Sequence, residues 1–415
     1  MKVLQITSHY NQGGAARIAA GIHKQLLAAG VESKVAYGRG KSTSDNGVYK
    51  FDKEYEIYIS ALLSRVTGIN GWWNHRGTRR LIKMLKEFQP DIIHIHALHG
   101  YYVNFPELWK YINKQQIPVV WTFHDCHAFA GKCGYFFECD RWKSGCGNCP
   151  HLQEYPISQW VDFTGWMWKK KKELFTQGDQ KVIVSPSDWL TEVAKESFFG
   201  KYPCVTIRNG IDTVDTFYPR DKAAMRRKYG YSEEEKLVLG IAVGYKDPRK
   251  GARYIVQMAK ELQGEAKVIL IGWEERNNDM LQEVDNVITL PATSDADSLA
   301  EYYSLADVFV LPSLAENYAT TTLEAMACGT PVVGFAVGGT PEQLTDGRGI
   351  AVELGNQERF TEAVRTVLEN PQRFPGREQM AESVRTENST KKMTEEYIKI
   401  YRSLLKEQQP ESEQI

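Results

Sequence analysis

The run from Leu311 to Glu342, LPSLAENYATTTLEAMACGTPVVGFAVGGTPE, gathers many of the residue types that bind phosphates and sugars. Thr320, Thr321 and Thr322 stand where a loop gives way to a helical stretch. The first N–H groups of a helix have no intrahelical acceptor and sit at the positive end of its dipole, so such a turn binds phosphate. Glu316 lies in the loop before that turn, and Glu324 lies on the helix, eight residues on. Carboxylates so placed can accept hydrogen bonds from the hydroxyls of a sugar and of a ribose. Asn317 stands beside the first of them. Gly338, Gly339 and Thr340 predict a second stretch of exposed N–H groups nearby. The competing reading is structural: Thr321-x-x-Glu324 as a capping box, and Glu316 as a solvated loop residue.

Further groups lie elsewhere. Arg249 and Lys250, in DPRKG, place two cations at a helix start. Cations oppose the dipole there, so a diphosphate partner explains them better than solvent does. His124 ends a buried strand and precedes Asp125. The pair reads either as hydrogen-bonding groups for a ligand or as a packed histidine beside a turn former. Gly13 and Gly14 permit close backbone approach, or form a plain strand-to-helix turn. Four of the seven cysteines, Cys133, Cys139, Cys146 and Cys149, have the spacing C-x5-C-x6-C-x2-C. That spacing suits a closed structural zinc site, with free buried thiols an equal alternative and disulfides a third. Cys126, Cys204 and Cys328 read as ordinary buried residues. Trp166 and Trp168 beside Lys169–Lys172 offer contact with an anionic membrane surface. The preferred alternative is a helix with its tryptophans inward and its lysines in solvent.

The elements that must position these residues alternate strand and helix twice. Strands are predicted at Lys2–Ser8, Val31–Tyr37, Asp91–His96, Val119–Phe123, Lys181–Ser185 and Pro203–Arg208. After residue 210 they recur at Leu237–Val243, Lys267–Ile271, Val287–Leu290, Val308–Leu311 and Pro331–Phe335. Helical stretches lie between, among them Ala15–Ala29, with Ile18, Ile22 and Leu26 on one face, and Ala252–Leu262. This order predicts an α/β chain of two Rossmann-like, doubly wound domains facing one another, with ligands in the interdomain cleft. The domains are residues 1–210, interrupted by a cysteine-rich insert at 126–150, and 211–388. A helix at 389–406 follows, packing back towards the first domain, and then a disordered tail at 407–415. A net charge of -1 argues against a nucleic-acid partner. The N-terminus lacks a signal-peptide pattern, and no apolar run approaches the ~20 residues that span a bilayer. A cytoplasmic protein is expected, at most peripheral at the inner face of the membrane. Asp295-Ala296-Asp297 reads as a helix-opening turn rather than a divalent-metal site.

Glu316-x7-Glu324 followed by AMACGTPVV and GGTPE resembles the donor-binding region of glycosyltransferase family 4, whose members have the GT-B fold and retain anomeric configuration. HYNQGGAARIA, TFHD at Thr122–Asp125, IRNGID at Ile207–Asp212 and DPRKG resemble other family segments in the same order. The resemblance implies that Glu316 contacts the donor sugar, Glu324 the ribose, and Lys250 with Arg249 the diphosphate, with His124 near the reacting sugar. It implies a retaining glycosyltransferase that needs no cofactor for catalysis. The enzyme would move a sugar from a nucleotide diphosphate sugar to a glycan or lipid-linked acceptor, in bacterial surface polysaccharide biosynthesis. Many members carry an arginine a few residues before the lysine, where this chain has Gly244, Tyr245 and Lys246. Alternatives are a nucleotide-sugar epimerase and a non-catalytic nucleotide-sugar-binding protein.

Overall fold

The computed structural model describes residues 1–241, 247–274 and 279–406. Gly244, Tyr245, Lys246 and the tail 407–415 lie outside the described residues. The chain divides into two compact units, Met1–Arg208 with Met393–Ile415, and Asn209–Lys392.

The first unit holds a parallel sheet of β1 (Lys2–Thr7), β2 (Glu32–Tyr37), β3 (Val48–Lys50), β4 (Ile92–Ile95), β5 (Val119–Thr122), β6 (Lys181–Ser185) and β7 (Cys204–Thr206), in the spatial order β3-β2-β1-β4-β5-β6-β7. The second holds β8 (Leu237–Ile241), β9 (Lys267–Ile271), β10 (Val287–Leu290), β11 (Val308–Leu311), β12 (Val332–Phe335) and β13 (Gly349–Val352), in the order β10-β9-β8-β11-β12-β13. Both are doubly wound α/β sheets. Their central strands are Val/Ile/Leu-rich and buried on both faces, as helices on each side require.

Order reverses between β1 and β4 in the first sheet and between β8 and β11 in the second. Loops leaving the carboxyl ends of these strands diverge and open a crevice. Two short strands were not read from the sequence, Val48–Lys50 and Gly349–Val352. Both are edge strands, with too few residues to show a pattern. Several predicted strands are a residue or two shorter, and the residues of Leu237–Val243 past Ile241 are not described.

The helix Gly14–Ala28 turns Ile18, Ile22 and Leu26 onto the sheet, and Gly30 follows it at φ +72°. Asp295 caps the helix Ala296–Leu305, accepting from the Ser298 N–H at 3.3 Å. In the final helix, Thr390–Lys406, Met393, Tyr397, Tyr401 and Leu404 join a cluster with Val3, Ile22, Ile92 and Val120. Tyr401 Oη lies 2.7 Å from His94 Nδ1, and Tyr397 Oη lies 2.8 Å from Thr122 Oγ1.

Candidate active site

In the second unit the charged group sits on the loops after β8 and β11. Asp247 opens a single 3-10 turn, Pro248–Lys250, its carboxylate accepting from the Arg249 N–H at 3.0 Å. Gly251 ends the turn at φ +70°. A Cβ there would lie 1.9 Å from the Pro312 carbonyl oxygen, so only glycine lets the turn press against the β11 loop. The two loops are then tied together. Leu314 N–H donates to the Arg249 carbonyl at 2.7 Å, and the Arg249 guanidinium donates to the Ala315 carbonyl at 3.0 Å. Lys250 Nζ donates to Glu316 Oε2 at 3.1 Å, and Arg249 Nη1 lies 3.7 Å from the same oxygen. The Glu316 side chain is 11% exposed, so it is not a solvated loop residue. Burial pushes its carboxyl up, but Lys250 and Arg249 outweigh burial and hold it below the usual range.

The helix Thr320–Ala327 starts after Ala319 with no side-chain cap, leaving the first-turn N–H groups of Thr320 and Thr321 uncapped. The capping-box reading fails here. Glu324 is 1% exposed and accepts from the buried Tyr303 hydroxyl at 3.1 Å. The expected row of exposed N–H groups also needs correction. Gly338 turns the chain at φ +53°, Gly339 N–H donates to the carbonyl of buried Asn317 at 2.8 Å, and Thr340 N–H donates to Val337 at 3.0 Å. Because β11 and β12 are neighbours, their loops emerge side by side and satisfy each other's backbone groups. The glycines therefore brace the Glu316–Asn317 loop.

In the first unit, His124 and Asp125 follow β5. They line one small cavity with His96, His99, Trp121 and His127. His124 Nε2 lies 3.0 Å from His96 Nδ1, and His96 Nε2 lies 2.9 Å from Gln5 Oε1. Burial pulls His124 down to about 4; Asp125 opposes that and His99 adds to it, so the ring is neutral at physiological pH. Burial pushes Asp125 up, but His99 Nε2 at 2.8 Å and the His127 N–H at 2.9 Å hold it below the usual carboxylate range. Gly13, at φ +85°, precedes the helix that starts at Gly14. A Cβ on either glycine would meet nothing within 4 Å, so the space beside this turn is open.

Cys133, Cys139, Cys146 and Cys149 border one small cavity with Lys132 and Trp142. All seven cysteines are free thiols. Among the described residues, no three His, Cys, Asp or Glu side chains are placed to hold a metal ion. Cys126 and Cys328 are buried as expected, whereas Cys204 is part-exposed. The lysine run is not a uniformly solvated face. Lys171 is fully buried, donating to the carbonyls of His127 at 2.7 Å and Ala130 at 2.9 Å, and burial pulls its ammonium down to about 7. Trp168 turns inward to donate to the Trp142 carbonyl at 2.8 Å, whereas Trp166 stays 39% exposed.

Two families match the chain: Glycosyltransferase Family 4 over residues 12–215, and Glycosyl transferases group 1 over residues 221–387. The chain is a glycosyltransferase. It is 26% identical to WcaC of Escherichia coli K12, a protein named for glycosyl transfer in colanic acid biosynthesis, over 97% of this chain and 100% of the relative. Among solved structures it resembles a sucrose-phosphate synthase from Thermosynechococcus elongatus, with a TM-score of 0.68, 19% identity, and 98% and 99% of the two chains covered. It also resembles HepE of Anabaena in complex with UDP, with a TM-score of 0.68, 13% identity, and 97% and 100% covered. These likenesses agree with the GT-B architecture.

In this glycosyltransferase the second unit brings together Arg249, Lys250, Glu316, Asn317 and Gly339 from three separate loops. Sequence reasoning missed the partners of His124. His94 lies on β4 and His96 just past its end, two apart and so on one face in extended chain, and their rings are 4.1 Å apart. Nothing local in the sequence points to Gln5 as the third member.

Proposed function

We propose that this glycosyltransferase is a retaining enzyme. It takes a sugar from a nucleotide diphosphate sugar and passes it to a glycan or lipid-linked acceptor in surface polysaccharide biosynthesis. The observation that carries this reading is the Arg249–Lys250–Glu316 group beside the uncapped helix start at Thr320. Breaking the bond between the anomeric carbon and the diphosphate oxygen builds negative charge on the leaving group. Lys250, Arg249 and the helix N–H groups are placed to stabilise that charge. The acceptor oxygen attacks on the same face, and its proton passes to the departing phosphate oxygen. Glu316, held ionised, accepts hydrogen bonds from the sugar hydroxyls and faces the positive charge that develops on the ring. Glu324 takes the ribose hydroxyls. His124, neutral at its pKa of about 4, is a hydrogen-bonding group for the sugar rather than a cation. The open turn at Gly13 and Gly14, with Asp125, serves the acceptor or phosphate side. The names of WcaC and of the UDP-bound HepE support the pathway class and the donor class. The enzyme works in the cytoplasm and needs no cofactor for the chemical step.

A thermal-shift screen with UDP, GDP and ADP sugars tests this reading, because a ligand of the folded state raises the melting temperature. One nucleotide class should give a clear shift, and Lys250→Ala should weaken it about tenfold or more in ligand concentration. A shift unchanged in Lys250→Ala would remove the lysine from the donor site.

We also propose that the four thiols around the Lys132 cavity take a structural zinc ion, drawing in towards the cavity when they bind it. The spacing and the shared cavity support this. Elemental analysis of protein purified without chelator should find about one zinc per chain, reduced in Cys146→Ser. Zinc-free, folded protein would end the proposal.

A further inference from the structure

The segment between β5 and the helix Thr164–Phe175 sends one aromatic ring back to the histidine cavity. Tyr155 meets His99 edge to face, ring centroids 6.0 Å apart at 74°, and meets Tyr101 in the same way at 6.0 Å and 80°. His99 in turn pairs with Asp125, the neighbour of His124, at 2.8 Å. Tyr101 is buried, whereas Tyr155 is 49% exposed. A ring fixed by two neighbours and still half open presents an aromatic face to a ligand. Its placement is enforced from the thiol cavity. Lys132 is 1% exposed, and its ammonium donates to three carbonyls just before the tyrosine: His151 at 2.6 Å, Leu152 at 2.7 Å and Glu154 at 2.8 Å. The Ser158 N–H donates to the same Leu152 carbonyl at 2.9 Å. An ammonium has three protons, and meeting all three on one short stretch of chain fixes its backbone.

A cation stands beside this ring. Arg39 follows β2, and its N–H donates to the Ser8 carbonyl at 2.8 Å. Its side chain lies along Gly100, which turns at φ +116°; a Cβ on that glycine would fall 3.4 Å from Arg39 Cδ and 3.6 Å from Nη1. Among the described residues, no carboxylate lies within ion-pair distance of Arg39, because the nearby acids are engaged elsewhere. Glu54 pairs with Lys50 at 2.7 Å and accepts from the Gly40 N–H at 3.1 Å, and Asp125 accepts from His99 and from the His127 N–H. Arg39 Nε and His99 Nδ1 are buried without a hydrogen-bond partner among the described residues. Burial pushes the Tyr101 and Tyr155 phenols up, and the Arg39 charge works against that in both, so the guanidinium and the two rings share one neighbourhood. An unpaired guanidinium held at a half-open site is a standing group for an anion.

We propose that Tyr155 and Arg39 set acceptor specificity: the open face of Tyr155 takes the C–H face of the acceptor's sugar ring, and Arg39 takes an anionic group on or next to that sugar, a carboxylate or a phosphate. The proposal rests on reading the first unit as the acceptor side. A sugar carries hydroxyls at its rim and an apolar face between them, so an aromatic ring with a charged fork beside it recognises both parts of such a ligand. A neutral sugar would leave Arg39 without a partner, and the site therefore favours an acidic one. His99 and Asp125 link the platform to His124, so a sugar on Tyr155 lies next to the histidine cavity. Tyr155 and Arg39 bind; Lys132 positions the chain that carries Tyr155.

Saturation-transfer difference NMR on the full chain tests this, with the methyl glycosides of glucose, galactose, mannose, fucose and glucuronic acid, and with glucose 1-phosphate, as probes. Ring-proton signals are expected, stronger for the two acidic probes, and the stronger of those two names the anion. Tyr155→Ala should lower the signals about fivefold or more, while Tyr155→Phe keeps them, because the platform needs the ring and not its hydroxyl. Tyr155→Leu, which keeps apolar bulk, should lose them as Tyr155→Ala does. Arg39→Met should bring the acidic probes down to the level of the neutral ones. Melting temperatures and the nucleotide-induced thermal shift should stay at wild-type values in these variants. A wild-type chain that binds the probes but shows no nucleotide shift would sink the donor reading and leave this one standing. The proposal is overturned by no signal from any probe, by signals that Tyr155→Ala and Tyr155→Leu leave intact, by an equal response to neutral and acidic probes, or by signals lost in Glu316→Ala instead, which would place the sugar in the donor site.

Discussion

Glu316 lies between two cations at 3.1 and 3.7 Å, on a loop that Gly251 and Gly339 brace from either side. Its carboxylate is ionised because Lys250 and Arg249 outweigh its burial. Glu316→Gln keeps the shape and removes the charge. Donor turnover should fall by about a hundredfold or more, the scale of losing one preorganised electrostatic group, while the fold survives. Comparing initial rates and melting temperatures of the two proteins checks this, and near-wild-type turnover would exclude Glu316 from the reaction. Glu316 and Glu324 were legible as candidates because their spacing and the helix start are local features. Which cation faces Glu316 was not local, since Lys250 is 66 residues away and meets it only because β8 and β11 are neighbours.

At the scale of elements, the last helix shows how a distant segment supports the histidine network. Tyr401 and Tyr397 reach under the sheet to His94 and Thr122. Tyr401→Phe would leave His94 Nδ1 without its bond in a fully buried place, which costs about 1–3 kcal/mol. Urea unfolding should show a lower midpoint with an unchanged slope, and an unchanged midpoint would show that the bond contributes nothing. The apolar stripe of this helix was readable from its period, because Met393, Tyr397 and Tyr401 repeat at helical spacing. The edge strands Val48–Lys50 and Gly349–Val352 were not readable. Their pairing, not their composition, makes them strands.

At the scale of the molecule, the buried histidines couple stability to pH. His94, His96, His124 and His127 are all held below their ordinary value, burial being the main cause in each. The unfolded chain takes up protons near pH 6.5, while the folded one does not until lower pH, about 4 for His124. The contribution of these rings to stability is therefore complete above pH 6.5 and falls as the pH drops through that window. The lowered carboxyls of Asp125 and Glu316 add losses of the same sign in more acid solution. Melting temperatures measured from pH 7.5 to pH 4.5 should decline steadily, and a flat profile would contradict the burial of these rings.

The sequence by itself determined the two doubly wound domains, the helix start at Thr320 and most of the donor-side candidates. Strand–helix alternation, apolar period and glycine placement are short-range patterns that survive in one dimension. Only the tertiary structure decided that Lys171 is buried, that Gly339 is bonded to Asn317, that His96 stacks on His124, and that the helix Glu54–Thr67 shows its apolar face to solvent. Each of these depends on which elements become neighbours. A lysine within a charge run reads as solvated until the fold supplies the carbonyls of His127 and Ala130, and an amphipathic helix reads the same whether its apolar side is covered or bare.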